Sequence, residues 1–124
     1  MPIVTEGRHT GHFLLSEASG TRSRDVVTLL AGSGSLEAGA VLGRITASNK
    51  FVPHDPTAND GRETARAVLL GNVVVPAARD LDTVALTRDA EVKAVGLGFS
   101  LATDTAAEKA AVLADLADVG IIGR

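Results

Sequence analysis

A chain of 124 residues with 45% apolar and 22% charged side chains is long enough to bury one hydrophobic core and too apolar for wholesale disorder. The net charge is −3 with acids and bases interspersed, and Phe13, Phe51 and Phe99 are the only aromatics; nucleic-acid binding asks instead for a clustered basic footprint and exposed rings. With no cysteine there is no disulfide framework, thiol nucleophile or thiolate zinc site, and the core must come from Val, Leu, Ile and Ala, whose small buried areas favour oligomerisation.

Residues 1–24 read as an extended arm. Their apolar patch, Phe13, Leu14 and Leu15, sits among Gly, Ser, Thr, His and Arg, with no sustained period of 2 or 3.6. Such a segment buries little of itself; it either frays or orders by adding a strand to a partner's sheet edge, with Phe13 or Leu15 setting the register. "MPIVTEGRHTGHF" has no apolar signal region, and no window approaches the ~18 apolar residues of a membrane span, which points to a soluble protein made in the cytoplasm.

From Asp25 onward the pattern predicts a β-rich α+β domain over residues 25–124, with short strands, frequent glycine and one C-terminal helix. "DVVTLLAG" is a strand closed by a Ser-Gly-Ser turn; "LEAGAVLGRITA" follows, and "SNK" at 48–50 is a hairpin tip returning as "FVP". "TARAVLLGNVVV" is the longest apolar run and stops at Pro76. "DTVALTRDAEVKAV" alternates, which predicts Val84 and Leu86 on one face and Thr83, Ala85 and Thr87 on the other, one buried and one wet. In "TDTAAEKAAVLADLADVG", Thr105 and Glu108 have capping-box spacing, Val112, Leu116 and Val119 form an apolar stripe, Glu108, Asp115 and Asp118 stay in water, and Gly120 is the stop. "GIIGR" is a last short strand or docking segment.

The richest chemistry is in "HDPTANDGRE", residues 54–63, with His54, Asp55, Asn59, Asp60 and Glu63 between two apolar runs. A calcium loop counted from Asp55 requires Gly at its sixth position and Glu at its twelfth; the chain has Asp60 and Arg66 there, so the segment reads as a turn made by Asp60-Gly61, its acids capping amides or facing a neighbouring subunit. His9 and His12 have a spacing that suits a metal only on a helix, which the Gly and Thr around them disfavour. Ser16 and Ser23 lack a nucleophile elbow, and "GSGSLEAGAVLG" lacks the Lys of a phosphate loop. No catalytic residue, metal ligand or cofactor is assigned. "LEAGAVLGRI" also has the turn grammar of small β-barrel carrier or ligand-binding modules, with Lys50 the one candidate for modification.

Taken together, "GRHTGHFLLSEASGTRSRD", "LEAGAVLGRITASNKFVPHDP", "DGRETARAVLLGNV", "TRDAEVKA" and "LADLADVGIIGR" resemble the head decoration, or capsid-stabilising, proteins of tailed phages and prophages, the family of the lambda head protein D. The resemblance runs from about Glu6 to Arg124. It implies a non-enzymatic homotrimer on the outer surface of the virion, made in the host cytoplasm, with the major capsid protein as partner and no nucleic acid or membrane. It also implies that the N-terminal arm pairs with capsid-protein strands. Carried onto this chain, the contacts are Arg8, His9, Thr10, Gly11, Phe13, Leu14, Leu15, Ser16 and Glu17. With the core expected to start near Asp25, removing residues 1–17 is expected to leave the domain folded.

Overall fold

The strand-rich reading becomes a specific closed topology in the computed structural model, which describes residues 9–100 and 103–124. The strands are β1 (Leu14–Glu17), β2 (Arg24–Leu29), β3 (Gly34–Leu36), β4 (Val41–Arg44), β5 (Phe51–Pro53), β6 (Ala65–Leu69), β7 (Val73–Val75), β8 (Leu81–Leu86), β9 (Ala90–Val92) and β10 (Ile121–Gly123), with helix α1 (Ala106–Asp118) before the last. Five of them close a barrel in the order β2-β5-β4-β6-β8. β1, β9 and β10 form a second sheet with β9 in the centre, and β3 and β7 pair as a ribbon.

Two apolar clusters share the barrel wall. Inside lie Val27, Leu29, Leu42, Ala67, Leu69 and Ala85, joined by Val75 from the ribbon. Outside, Val41, Ala65, Val68 and Leu86 face Val112 and Leu116 of α1, Val92 of β9 and Ile121 of β10. Strands β4, β6 and β8 therefore have apolar neighbours on both faces, which is why Val41 with Leu42, and Ala85 with Leu86, are buried in succession. The expected alternation in β8 is corrected accordingly. Val84 is 37% exposed and pairs across the strands with Val26, because α1 and the second sheet cover only the Leu86 end of that outer face.

The long apolar run also divides. β6 ends at Leu69, and Gly71 and Asn72 turn the chain so that β7 leaves the barrel to pair with β3. In the β4–β5 hairpin, Arg44 lies opposite Phe51, as the "SNK" turn predicts. Helix α1 starts where expected: Thr105 Oγ1 accepts the Glu108 amide at 3.2 Å. Among the described residues no bond returns from the Glu108 side chain to the Thr105 amide, so the reciprocal half of the capping box is missing, and one Glu108 carboxylate oxygen is buried without a partner. Asp115, expected in water, is half-buried and accepts the Ala65 amide at 3.2 Å, tying α1 to the start of β6. No helix among the described residues is long and apolar enough to cross a membrane.

The packed body begins well before residue 25. Phe13 is fully buried in the outer cluster and β1 is antiparallel to β9, Leu14 opposite Val92 and Glu17 opposite Ala90. The local pattern gave no sign of this, because β1 is only four residues long and its partner lies some seventy positions downstream.

Candidate partner-binding surface

The segment expected to meet a partner starts with a turn. The His12 amide donates to the His9 carbonyl at 3.1 Å and the Leu14 amide to the Gly11 carbonyl at 2.9 Å, while the Gly11 amide donates to Leu70 O at 2.9 Å. This turn delivers Phe13 into the core, where its ring meets His12 edge-on at 5.6 Å and its carbonyl accepts the Lys93 amide at 2.7 Å. His9 and Thr10 are exposed, Gly11 and Leu14 half-buried, Leu15 45% exposed and Ser16 exposed. Arg8 lies outside the described residues.

β1 is an edge strand: β9 occupies one side, and among the described residues no strand lies on the other. The ladder breaks register between Leu14 and Ser16, a bulge that turns Leu15 outward. An edge with unpaired backbone groups and an outward aliphatic side chain is able to accept an added strand.

The far end of β1 is anchored by a contact that sequence reasoning missed. Glu17 accepts two bonds from Arg24 Nε, at 3.1 and 3.0 Å, one from Arg24 Nη2 at 2.5 Å and one from the Ser23 hydroxyl at 2.5 Å. Ser23 is fully buried. The only sequence signal was opposite charge at Glu17 and Arg24, seven residues apart, which becomes meaningful once residues 18–23 loop back. Arg24 first, then Ser23, hold the Glu17 carboxyl below its ordinary pKa. A carboxyl depressed in the folded state contributes stability that is complete above the unfolded pKa and is lost as pH falls through the lowered one. We therefore expect Glu17→Gln to cost about 1–2 kcal/mol at pH 7, the partly exposed Arg24 moderating the loss. The gap between mutant and wild-type urea midpoints should close as the pH drops below about 4; a gap independent of pH would contradict the assignment.

The acidic loop is a turn. Asp55 accepts the Thr57 amide at 2.9 Å and its hydroxyl at 2.7 Å, Asp60 chelates Arg62, and Glu63 accepts the Gly61 amide at 2.8 Å. These carboxylates serve their own backbone and a neighbouring guanidinium. His54 is 2% exposed and its Nε2 donates to the Glu63 carbonyl at 3.0 Å, bracing the loop from below. Among the described residues no three His, Asp or Glu side chains are grouped to hold a metal. Lys50, the carrier candidate, is ion-paired with Asp80 at 2.7 Å.

The family model for the bacteriophage lambda head decoration protein D matches residues 3–121 of the chain. No curated protein matches it.

Proposed function

The chain belongs to the bacteriophage lambda head decoration protein D family, and on that premise we propose how it works. It is a structural protein of the virion, associated with the phage capsid. In our reading it acts without catalysis, as a homotrimer bound to the outside of the expanded icosahedral head at local three-fold positions. There it holds neighbouring major capsid protein subunits together against the pressure of packaged DNA. The observation that carries this reading is the family match over nearly the whole length.

The segment Arg8, His9, Thr10, Gly11, Phe13, Leu14, Leu15, Ser16 and Glu17 is proposed as the capsid-binding element, with roles divided by burial. Leu15 and Ser16 on the outer side of β1 meet the capsid strand, while Phe13 and Glu17 hold β1 against its own domain. The partner supplies a strand to the open edge of β1, so backbone bonds give affinity and Leu15 gives register. One such contact is weak, but three on one trimer raise avidity by on the order of 10²–10⁴-fold. The spacing of three receiving strands then decides when binding occurs, so expansion of the shell acts as the switch.

The test mixes the full chain with unexpanded and expanded shells and follows co-sedimentation. Binding is expected only to expanded shells, and Leu15→Asp, exposed and therefore foldable, should weaken it by at least about tenfold. Equal binding to both shells would overturn the switch; full binding by Leu15→Asp would overturn the role of β1.

A further inference from the structure

The barrel has a mouth that the capsid-binding reading does not use. β2, β5 and β6 begin at one end of the barrel, and β4 and β8 finish there, as the parallel β2–β5 pair and the antiparallel pairs around it require. Strand alternation carries the interior face out into this mouth. Val27 and Leu29 point inward, so Asp25 follows on their side; Leu42 leads in the same way to Arg44, and Ala85 to Thr87. The register break where β6 crosses Leu42 and Gly43 adds Arg66 to the rim. The result is a cleft of about 400 Å³ whose walls include Arg44, Arg66, Arg88 and Asp25, with Phe51 and Val119 as apolar surface.

Its charges do not balance. Arg88 is bonded to Asp25, which also accepts the Thr87 hydroxyl at 2.9 Å, so that pair is internally neutral. Arg44 and Arg66 are exposed, and neither guanidinium group has an ion-pair or hydrogen-bond partner among the described residues. Two unpaired guanidinium groups thus converge on one concave, partly apolar cleft in a chain whose net charge is −3. Solvated arginines on a flat surface need no explanation, but here β2, β4, β5 and β6, with the segment that follows β8, position the lining, and Val26 within it is 72% exposed.

We propose that this mouth docks an acidic segment of a protein partner. An Asp or Glu carboxylate is held by the planar forks of Arg44 and Arg66, and an aliphatic neighbour in the partner lies on Phe51, Val26 and Val119. Charge complementarity selects the carboxylate, and the apolar surface selects its neighbour. An extended nucleic acid fits less well. It requires a basic stripe several phosphates long, whereas this cleft is short, contains Asp25 and belongs to an acidic chain.

The test follows the side-chain Nε–H resonances of Arg44 and Arg66 in the ¹⁵N-labelled full chain during titration with the peptide acetyl-Val-Glu-Val-amide. Acetyl-Val-Gln-Val-amide, inorganic phosphate and a single-stranded oligonucleotide are the comparators. Saturable shifts at both arginines are expected with the glutamate peptide, at a dissociation constant on the order of 1 mM. Binding should fall at least about tenfold with the glutamine peptide and in Arg44→Gln or Arg66→Gln, each an exposed position whose backbone spectrum should otherwise be preserved. Equal response to the two peptides, no response, or preferential binding of phosphate or oligonucleotide would overturn the proposal. The assay contains no capsid, so its failure would leave the proposed capsid role standing.

Discussion

Replacing Phe13 with alanine is expected to lower the free energy of unfolding by about 3–5 kcal/mol, read from urea denaturation followed by circular dichroism. The ring is fully buried and belongs to the cluster that joins the barrel to Val112 and Leu116 of α1 and Ile121 of β10. Its removal leaves a cavity that neighbours cannot readily fill, because Phe13 Cβ lies against the backbone of Gly96 and its carbonyl is bonded to Lys93. Removing residues 1–17 should do more harm still, since β1 and its ladder to β9 are lost with the ring. This reverses the expectation from the sequence that the core starts near Asp25. A truncated chain with wild-type stability would show that β1 is dispensable to the fold.

Gly61→Ala is expected to cost about 2–4 kcal/mol, or to prevent folding, by the same measurement. Gly61 has φ +113°, where side chains other than glycine are strained, and an added Cβ would strike the Arg44 carbonyl oxygen and come within 2.5 Å of Thr46 Oγ1. The loop lies directly on the end of β4: Thr46 donates to Asp60 O at 3.0 Å, and an added Cβ on Gly43 would in turn strike the Arg62 carbonyl. Two glycines on opposing segments thus permit a backbone approach that no side chain allows. A stable Gly61→Ala variant would mean that the loop stands away from β4 in solution.

The strands that the local pattern predicted best were those whose signals are themselves local. Phe51–Pro53 return after a polar turn, Thr105 caps α1, and Asp60-Gly61 turns the loop, each within a few residues of its cause. β8 was harder. Its alternation predicted one wet face, but burial there depends on α1 covering Leu86 and leaving Val84 bare, an outcome no window of β8 contains. The Arg44 and Arg66 mouth was equally hidden, since 21 positions separate those residues and only closure of the barrel brings their strands to one end. Within the segment expected to meet a partner, the division into an anchored Phe13 and an outward Leu15 came from packing alone.

By itself the sequence determined composition-limited facts: a core of small aliphatic side chains, no thiol chemistry, a capped C-terminal helix, turns at Gly and Asn, and a family resemblance that the match over residues 3–121 bears out. These depend on residue type and near neighbours, where sterics and hydrogen bonding act over a few bonds. Only the tertiary structure decided that five strands close on themselves, that three of them are covered on both faces, and that β1 joins β9. Those outcomes rest on burial of apolar surface between distant positions. That force is non-directional and indifferent to sequence separation, so a local pattern registers that a side chain wants to be buried but not what will cover it.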